Sequence, residues 1–232
     1  MMVARTDDER QEMSTYILIH GSWLGGWSWD GITERLRSAG HIVEAPTLAG
    51  DGTLSDHVAE IVEIIDAHPG EDIILVGHSY SGMVIAGASS ARPDVVSEAV
   101  YLDAYMPEAG QSAFDVLPVV QPLFEAGAAE SGDGMVPPFD MAIFGLEPSV
   151  GDPIAAQLRP WPIVTHIEKS PGMPEAVRGS FLLCAESQFF IELAGQLEAR
   201  GWKVARPQVG HMAPLTDPRM SRLSADRGRC ID

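Results

Sequence analysis

The apolar run Ile73-Ile74-Leu75-Val76 passes directly into Gly77-His78-Ser79-Tyr80-Ser81-Gly82, and a stretch of helical character follows. Four buried-type residues ended by glycine read as a short central strand. A small-x-Ser-x-small turn between such a strand and a helix is a nucleophile elbow: the sharp turn strains the serine backbone, lifts its hydroxyl above the sheet and aims the next N–H groups at the same point. The pattern usually has glycine two residues after the serine, because two backbone segments cross closely beneath the turn. Here Ser81 stands there with Gly82 next, which reads as a tolerated variant.

A serine of this kind needs a base and an oxyanion hole, and the chain offers both in a usable order. Gly210-His211-Met212-Ala213-Pro214 follows the apolar segment Trp202 to Ala205, so His211, in a loop after the last strand, is the candidate general base. Tyr16-Ile17-Leu18-Ile19 runs into His20-Gly21-Ser22-Trp23 near the start. The loop after that strand and the residue after the nucleophile supply oxyanion donors in such a sheet, which nominates the N–H groups of Ser22 and Tyr80. His20 reads as a brace for its loop.

Strand and helix alternate along most of the chain, predicting an α/β fold: a mostly parallel sheet with helices on both faces. Strands are expected near 15–20, 41–45, 72–77, 98–103, 180–185 and 202–206, and helices near 28–39, 54–68, 80–91 and 188–200. Pro69 and Pro93 fall just past helix ends. With 232 residues and 45% hydrophobic content, one domain with a full core is expected over 14–232, after a charged, flexible leader at 1–13 that lacks the apolar segment of a secretory signal.

His20 to Trp29, Leu48-Ala49-Gly50-Asp51-Gly52, Tyr101-Leu102-Asp103-Ala104-Tyr105-Met106-Pro107 and Gly210 to Leu215 together resemble the α/β-hydrolase superfamily. The likeness is to its small cofactor-free members, the bacterial esterases and the plant methylesterase and hydroxynitrile lyase group, and it covers nearly the whole chain. It implies an α/β-hydrolase fold, a serine nucleophile and no cofactor. Hydroxynitrile lyases of that group are similar in fold but use a threonine near the oxyanion loop and a lysine beside the base. Gly21 and Met212 stand at those places, which argues against cyanohydrin cleavage.

The acid departs from the resemblance. Bacterial members usually carry aspartate just after the strand that here reads Phe181 to Ala185, where this chain has Glu186 and Ser187. Asp103, at the end of the strand that follows the nucleophile helix, lies on the same carboxyl edge of the sheet. It is favoured over Glu186, which needs a register shift, and both stay open. Either carboxylate could accept the second N–H of His211 and hold its productive tautomer.

The chemistry expected is hydrolysis of a carboxylic ester or lactone of a small hydrophobic molecule through an acyl-enzyme. A cofactor-free cyclase or lyase of a biosynthetic pathway, and a hydrolase-like small-molecule receptor, are the alternatives. Alternation stops between Ala104 and Gly179, where the resemblance implies a lid at about 104–179; Gly127 to Pro138 is expected to be mobile. Candidate pocket residues are Trp23, Tyr80, Phe114, Leu117, Phe124, Phe144, Trp161 and Met212, with Met135 and Met141 as fillers.

A net charge of −18 repels phosphate backbones, so nucleic acid is not expected as a partner. No apolar run approaches a membrane span. The expected partner is a small-molecule substrate, with a homodimer left open, in the cytoplasm. Cys184 and Cys230 read as plain thiols without a disulfide or metal role.

Overall fold

A computed structural model describes residues 13–70 and 72–217. The leader apart from Met13, the C-terminal stretch Ser221–Asp232 and Cys230 lie outside the described residues.

Six strands form one sheet: β1 (Thr15–Ile19), β2 (Ile42–Glu44), β3 (Ile73–His78), β4 (Val96–Leu102), β7 (Arg178–Leu182) and β8 (Val204–Ala205). Their order is β2-β1-β3-β4-β7-β8, and every pairing is parallel. All-parallel strands are covered on both faces, which explains the unbroken apolar run Ile73 to Val76 of the central strand β3. In β3, Ile73 and Leu75 join the core on one face, and Ile74 and Val76 the core on the other. The chain leaves β1 toward β2 on one side but continues from β3 toward β4 on the other. Between β1 and β3 the connections therefore diverge, and the crevice at their carboxyl ends is where such sheets bind ligands.

The main helices follow the expected positions: α1 (Asp30–Ser38), α2 (Leu54–Asp66), α3 (Ser81–Ala91) and α8 (Ile191–Ala199). Helix α2 starts with a capping box, in which Thr53 Oγ1 accepts the Asp56 N–H at 3.2 Å and Asp56 Oδ2 accepts the Thr53 N–H at 2.9 Å. Its Leu54, His57, Ile61 and Ile65 recur at helical spacing and are buried. Helix α3 is buried along Ser81–Ser89, as befits the helix behind a central strand.

Between Ala104 and Gly179 the chain builds α4 (Ala113–Val116), α5 (Gln121–Ser131), an antiparallel ribbon of β5 (Met135–Val136) and β6 (Trp161–Pro162), α6 (Pro148–Ala155) and α7 (Val164–Ile167). The segment from Gly127 to Pro138, expected to be mobile, carries regular structure. Helix α5 runs through it and stops where Gly132 takes the left-handed conformation at φ 75°, and Asp133 Oδ1 accepts the Met135 N–H to start the ribbon. The glycines end and redirect regular structure here. A last short helix, α9 (Ala213–Thr216), follows His211. Among the described residues, no helix is long and apolar enough to cross a membrane.

Candidate active site

Three non-glycine residues among those described have positive φ: Trp23 at 66°, Ser79 at 53° and Asp103 at 43°. They follow β1, β3 and β4, three adjacent strands, and all sit at the carboxyl edge of the sheet. Left-handed backbone costs a side-chain-bearing residue about 1–2 kcal/mol, so three such residues at one edge mark a place where geometry overrides local stability.

Ser79 is held in its turn from both sides. Its N–H donates to the Leu102 carbonyl at 3.3 Å, and its own carbonyl accepts the N–H groups of Gly82 and Tyr105, each at 3.1 Å. The tight crossing needs glycine at two points. A Cβ on Gly77 would lie 2.6 Å from the Ser81 carbonyl oxygen, and one on Gly82 would lie 1.8 Å from that of Tyr105. Ser81 fits because its hydroxyl donates to the His20 carbonyl, turning the departure from glycine into a fastening for the loop after β1.

His211 is buried and Asp103 wholly so. His211 Nδ1 lies 2.6 Å from Asp103 Oδ2, while Asp103 Oδ1 accepts the Cys184 N–H at 3.2 Å. A carboxylate only accepts, so Nδ1 carries the proton and Nε2 keeps the lone pair. The His211 carbonyl accepts a bond from His78 Nε2 at 2.8 Å, which pins the loop bearing the imidazole. Burial, with His211 as a neighbour, holds the His78 imidazole well below its ordinary range, so it stays neutral. The Glu186 side chain is exposed, and its carboxylate has no bond to His211 among the described residues.

The amides of Ser22 and Tyr80 have no acceptor among the described residues. Tyr80 stands at the N-terminal end of α3, where the helix dipole favours developing negative charge. Its side chain points away and is anchored: His57 Nε2–H donates to the Ala49 carbonyl at 2.8 Å, which leaves Nδ1 to accept the Tyr80 hydroxyl at 2.9 Å. Similarly, His20 Nδ1–H donates to the Gly21 carbonyl at 2.8 Å and Nε2 accepts the Leu48 N–H at 3.0 Å. Both its nitrogens are engaged, and burial pushes its pKa down to about 4, so His20 braces the loop as a neutral ring.

Two cavities meet at Ser79 and His211. One of about 290 Å³ is walled by Gly21, Leu24, His78, Met141, Leu158 and Met212, and one of about 370 Å³ by Tyr105, Leu117, Val120, Phe124, Phe139, His166, Phe189 and Phe190. Ser22, Trp23 and Phe144 border both. A larger groove, about 1540 Å³, lies beyond β7 and touches none of these residues.

Of the pocket residues expected from sequence, Trp23, Leu117, Phe124, Phe144, Met141 and Met212 therefore line a cavity. Phe114 and Trp161 line neither of these two cavities: Phe114 packs behind Phe124, and Trp161 lies against His57 and the Tyr80 ring. Nor does the Tyr80 side chain or Met135. Sequence reasoning missed His166, Phe139, Phe189 and Phe190, which come from short segments without a motif.

The alpha/beta hydrolase family model matches residues 16–220. The carbendazim hydrolyzing esterase of Nocardioides sp. (strain SG-4G) is 33% identical over 92% of this chain and 99% of its own length. Methyl jasmonate esterase 1 of Vitis vinifera is 38% identical over 40% of each chain. Among solved structures, an extracellular alpha/beta-hydrolase from a Paenibacillus species superposes with a TM-score of 0.79 and 26% identity, covering 90% of this chain and 97% of that one. On the extent of these matches, the chain belongs to the alpha/beta hydrolase family.

Proposed function

We propose that this protein is a serine hydrolase that cleaves a carboxylic ester or lactone of a small hydrophobic molecule, with Ser79 as nucleophile, His211 as general base and Asp103 as the acid that orients it. The observation that carries the reading is the 2.6 Å bond from His211 Nδ1 to Asp103, which leaves a basic Nε2 on a ring bordering the same cavities as Ser79. Nε2 takes the proton of Ser79 Oγ as that oxygen attacks the carbonyl carbon. The amides of Ser22 and Tyr80 hold the oxyanion, each worth about 3 kcal/mol in the barrier. The imidazolium then returns its proton to the leaving oxygen, the alcohol departs, and water repeats the steps on the acyl-serine. In this reading 104–179 is the lid: Trp23 Nε1–H donates to the Val136 carbonyl at 2.9 Å, tying the loop after β1 to the insertion above it.

Carbendazim and methyl jasmonate, named for two relatives, are the first substrates to try, beside a short p-nitrophenyl ester. A fluorophosphonate should label the wild-type chain and not Ser79→Ala, and the p-nitrophenyl ester should give a burst of one equivalent. Labelling that persists in Ser79→Ala, or an absence of labelling with no ester turned over, sinks the reading.

A further inference from the structure

His166 lines the 370 Å³ cavity among Phe124, Phe139, Phe189 and Phe190, apart from the proposed catalytic residues Ser79 and His211. Its ring lies between Phe124, at 4.3 Å between centroids, and Tyr80, stacked at 5.2 Å, with Phe114 and Tyr105 at its edges. A phenyl ring would satisfy such packing, so the two nitrogens need a separate account.

One nitrogen is fixed by its neighbours. Thr165 Oγ1 lies 2.7 Å from the Pro162 carbonyl, which only accepts, so the hydroxyl proton is committed there. Its lone pairs receive the Trp161 Nε1–H at 3.1 Å and the bond to His166 Nδ1 at 2.9 Å. With no proton left on Thr165 to offer, His166 Nδ1 must be the donor, and Nε2 carries a lone pair. Among the described residues no donor is bonded to that nitrogen, and it is not one of the orphaned atoms sealed from the surface. The ring itself lines the cavity, the space through which a ligand would reach that nitrogen.

Resting on the hydrolase reading for what happens next at Ser79, we propose that His166 Nε2 is a specificity-determining acceptor, selecting substrates whose flat aromatic part carries an N–H or O–H donor. The aromatic walls take the faces of the ring, and Nε2 fixes its orientation through one directed bond. Burial pushes the His166 pKa down to about 3, so the nitrogen accepts rather than donates over the working range. An aromatic group without a donor leaves this acceptor dry and unpaired, which makes the site discriminate by exclusion as well as attraction.

The test uses the full chain carrying Ser79→Ala, so that binding is read without turnover, and the probes indole and benzofuran, which share a bicyclic frame and differ in the N–H. Calorimetric titration should find indole bound about tenfold more tightly, the worth of one hydrogen bond at a buried acceptor. Adding His166→Phe should bring the ratio to about one, and His166→Gln, which keeps an acceptor, should restore part of it. A ratio near one before His166 is changed, or a ratio that survives His166→Phe, overturns the proposal. Should the phenylalanine variant fail to fold, ¹⁵N spectra of His166 in the parent decide: an unprotonated Nε2 whose signal moves with indole and not with benzofuran is expected, and a protonated Nε2 overturns it. Indole selectivity in a wild-type chain that no fluorophosphonate labels would sink the hydrolase reading and leave this subsite standing.

Discussion

Asp103 Oδ2 and His211 Nδ1, 108 residues apart in sequence, lie 2.6 Å from each other beneath the protein surface. Asp103 immediately follows β4, the strand after the nucleophile helix, whereas Glu186 follows β7 and faces solvent. With Oδ1 held by the Cys184 amide, the carboxylate has one oxygen for the backbone and one for the imidazole.

Asp103→Asn should therefore lower kcat by about 10⁴, because an amide can present its N–H to Nδ1 and stabilise the wrong tautomer. Glu186→Gln should change kcat by no more than about twofold, as for an exposed side chain with no side-chain bond among the described residues. Steady-state kinetics on one p-nitrophenyl ester compares them directly. A larger loss in Glu186→Gln would move the acid to β7.

The strain at Ser79 has a measurable consequence. Its φ of 53° suits glycine and penalises any residue with a Cβ. Ser79→Gly should consequently be more stable than Ser79→Ala by about 1 kcal/mol, although both lack the hydroxyl. Urea unfolding with an unchanged slope reads the difference. Alanine equal to or above glycine in midpoint would mean that the turn is relaxed in solution.

Gly82 tests the crossing under the elbow. A methyl group there meets the Tyr105 carbonyl oxygen at 1.8 Å, and the Tyr105 N–H is already bonded to Ser79. Neither backbone can retreat without dragging the serine, so Gly82→Ala should cost about 3 kcal/mol of stability, the upper range for overpacking, and most of the activity. Ser81→Gly offers the contrast, since it gives up only the hydroxyl bond to the His20 carbonyl, about 1 kcal/mol. Equal unfolding midpoints for the two variants would refute the assignment of the close approach to position 82.

The sheet was legible because central strands announce themselves as apolar runs and amphipathic helices by their spacing, as Leu54, His57, Ile61 and Ile65 do in α2. Ser79 and His211 carried local signals, a strand-to-helix turn and a glycine-flanked loop. The insertion was less legible. Hydrophobicity reports that Phe114 and Trp161 are buried, yet not whether they face a cavity or its supporting layer, since both positions exclude water equally. His166 had no signal at all: its role depends on Thr165, Trp161 and Phe124 converging through the ribbon and α5, and Val164-Thr165-His166-Ile167 is only a short apolar-flanked stretch until those contacts form.

The buried imidazoles set the acid side of the stability profile. Burial holds His20 at about 4 and His166 at about 3, against 6.5 for a free imidazole, and lowers His78 and His57 as well. At pH 5 the unfolded chain binds protons on these rings and the folded chain does not. Stability is therefore fully present above pH 6.5 and falls as pH drops from there toward 4, where His20 begins to charge in place, and toward 3 for His166. Each ring contributes at most about 1.4 kcal/mol per pH unit, so His20 and His166 alone account for up to about 3 kcal/mol per unit below pH 6. Urea midpoints at pH 7.5, 6 and 5 should decline with that curvature, and His166→Phe should flatten the fall by one proton's worth. A midpoint unchanged between pH 7.5 and 5 would show that these rings take up protons in the folded state, which the bonds of His20 to Gly21 and Leu48 leave no room for.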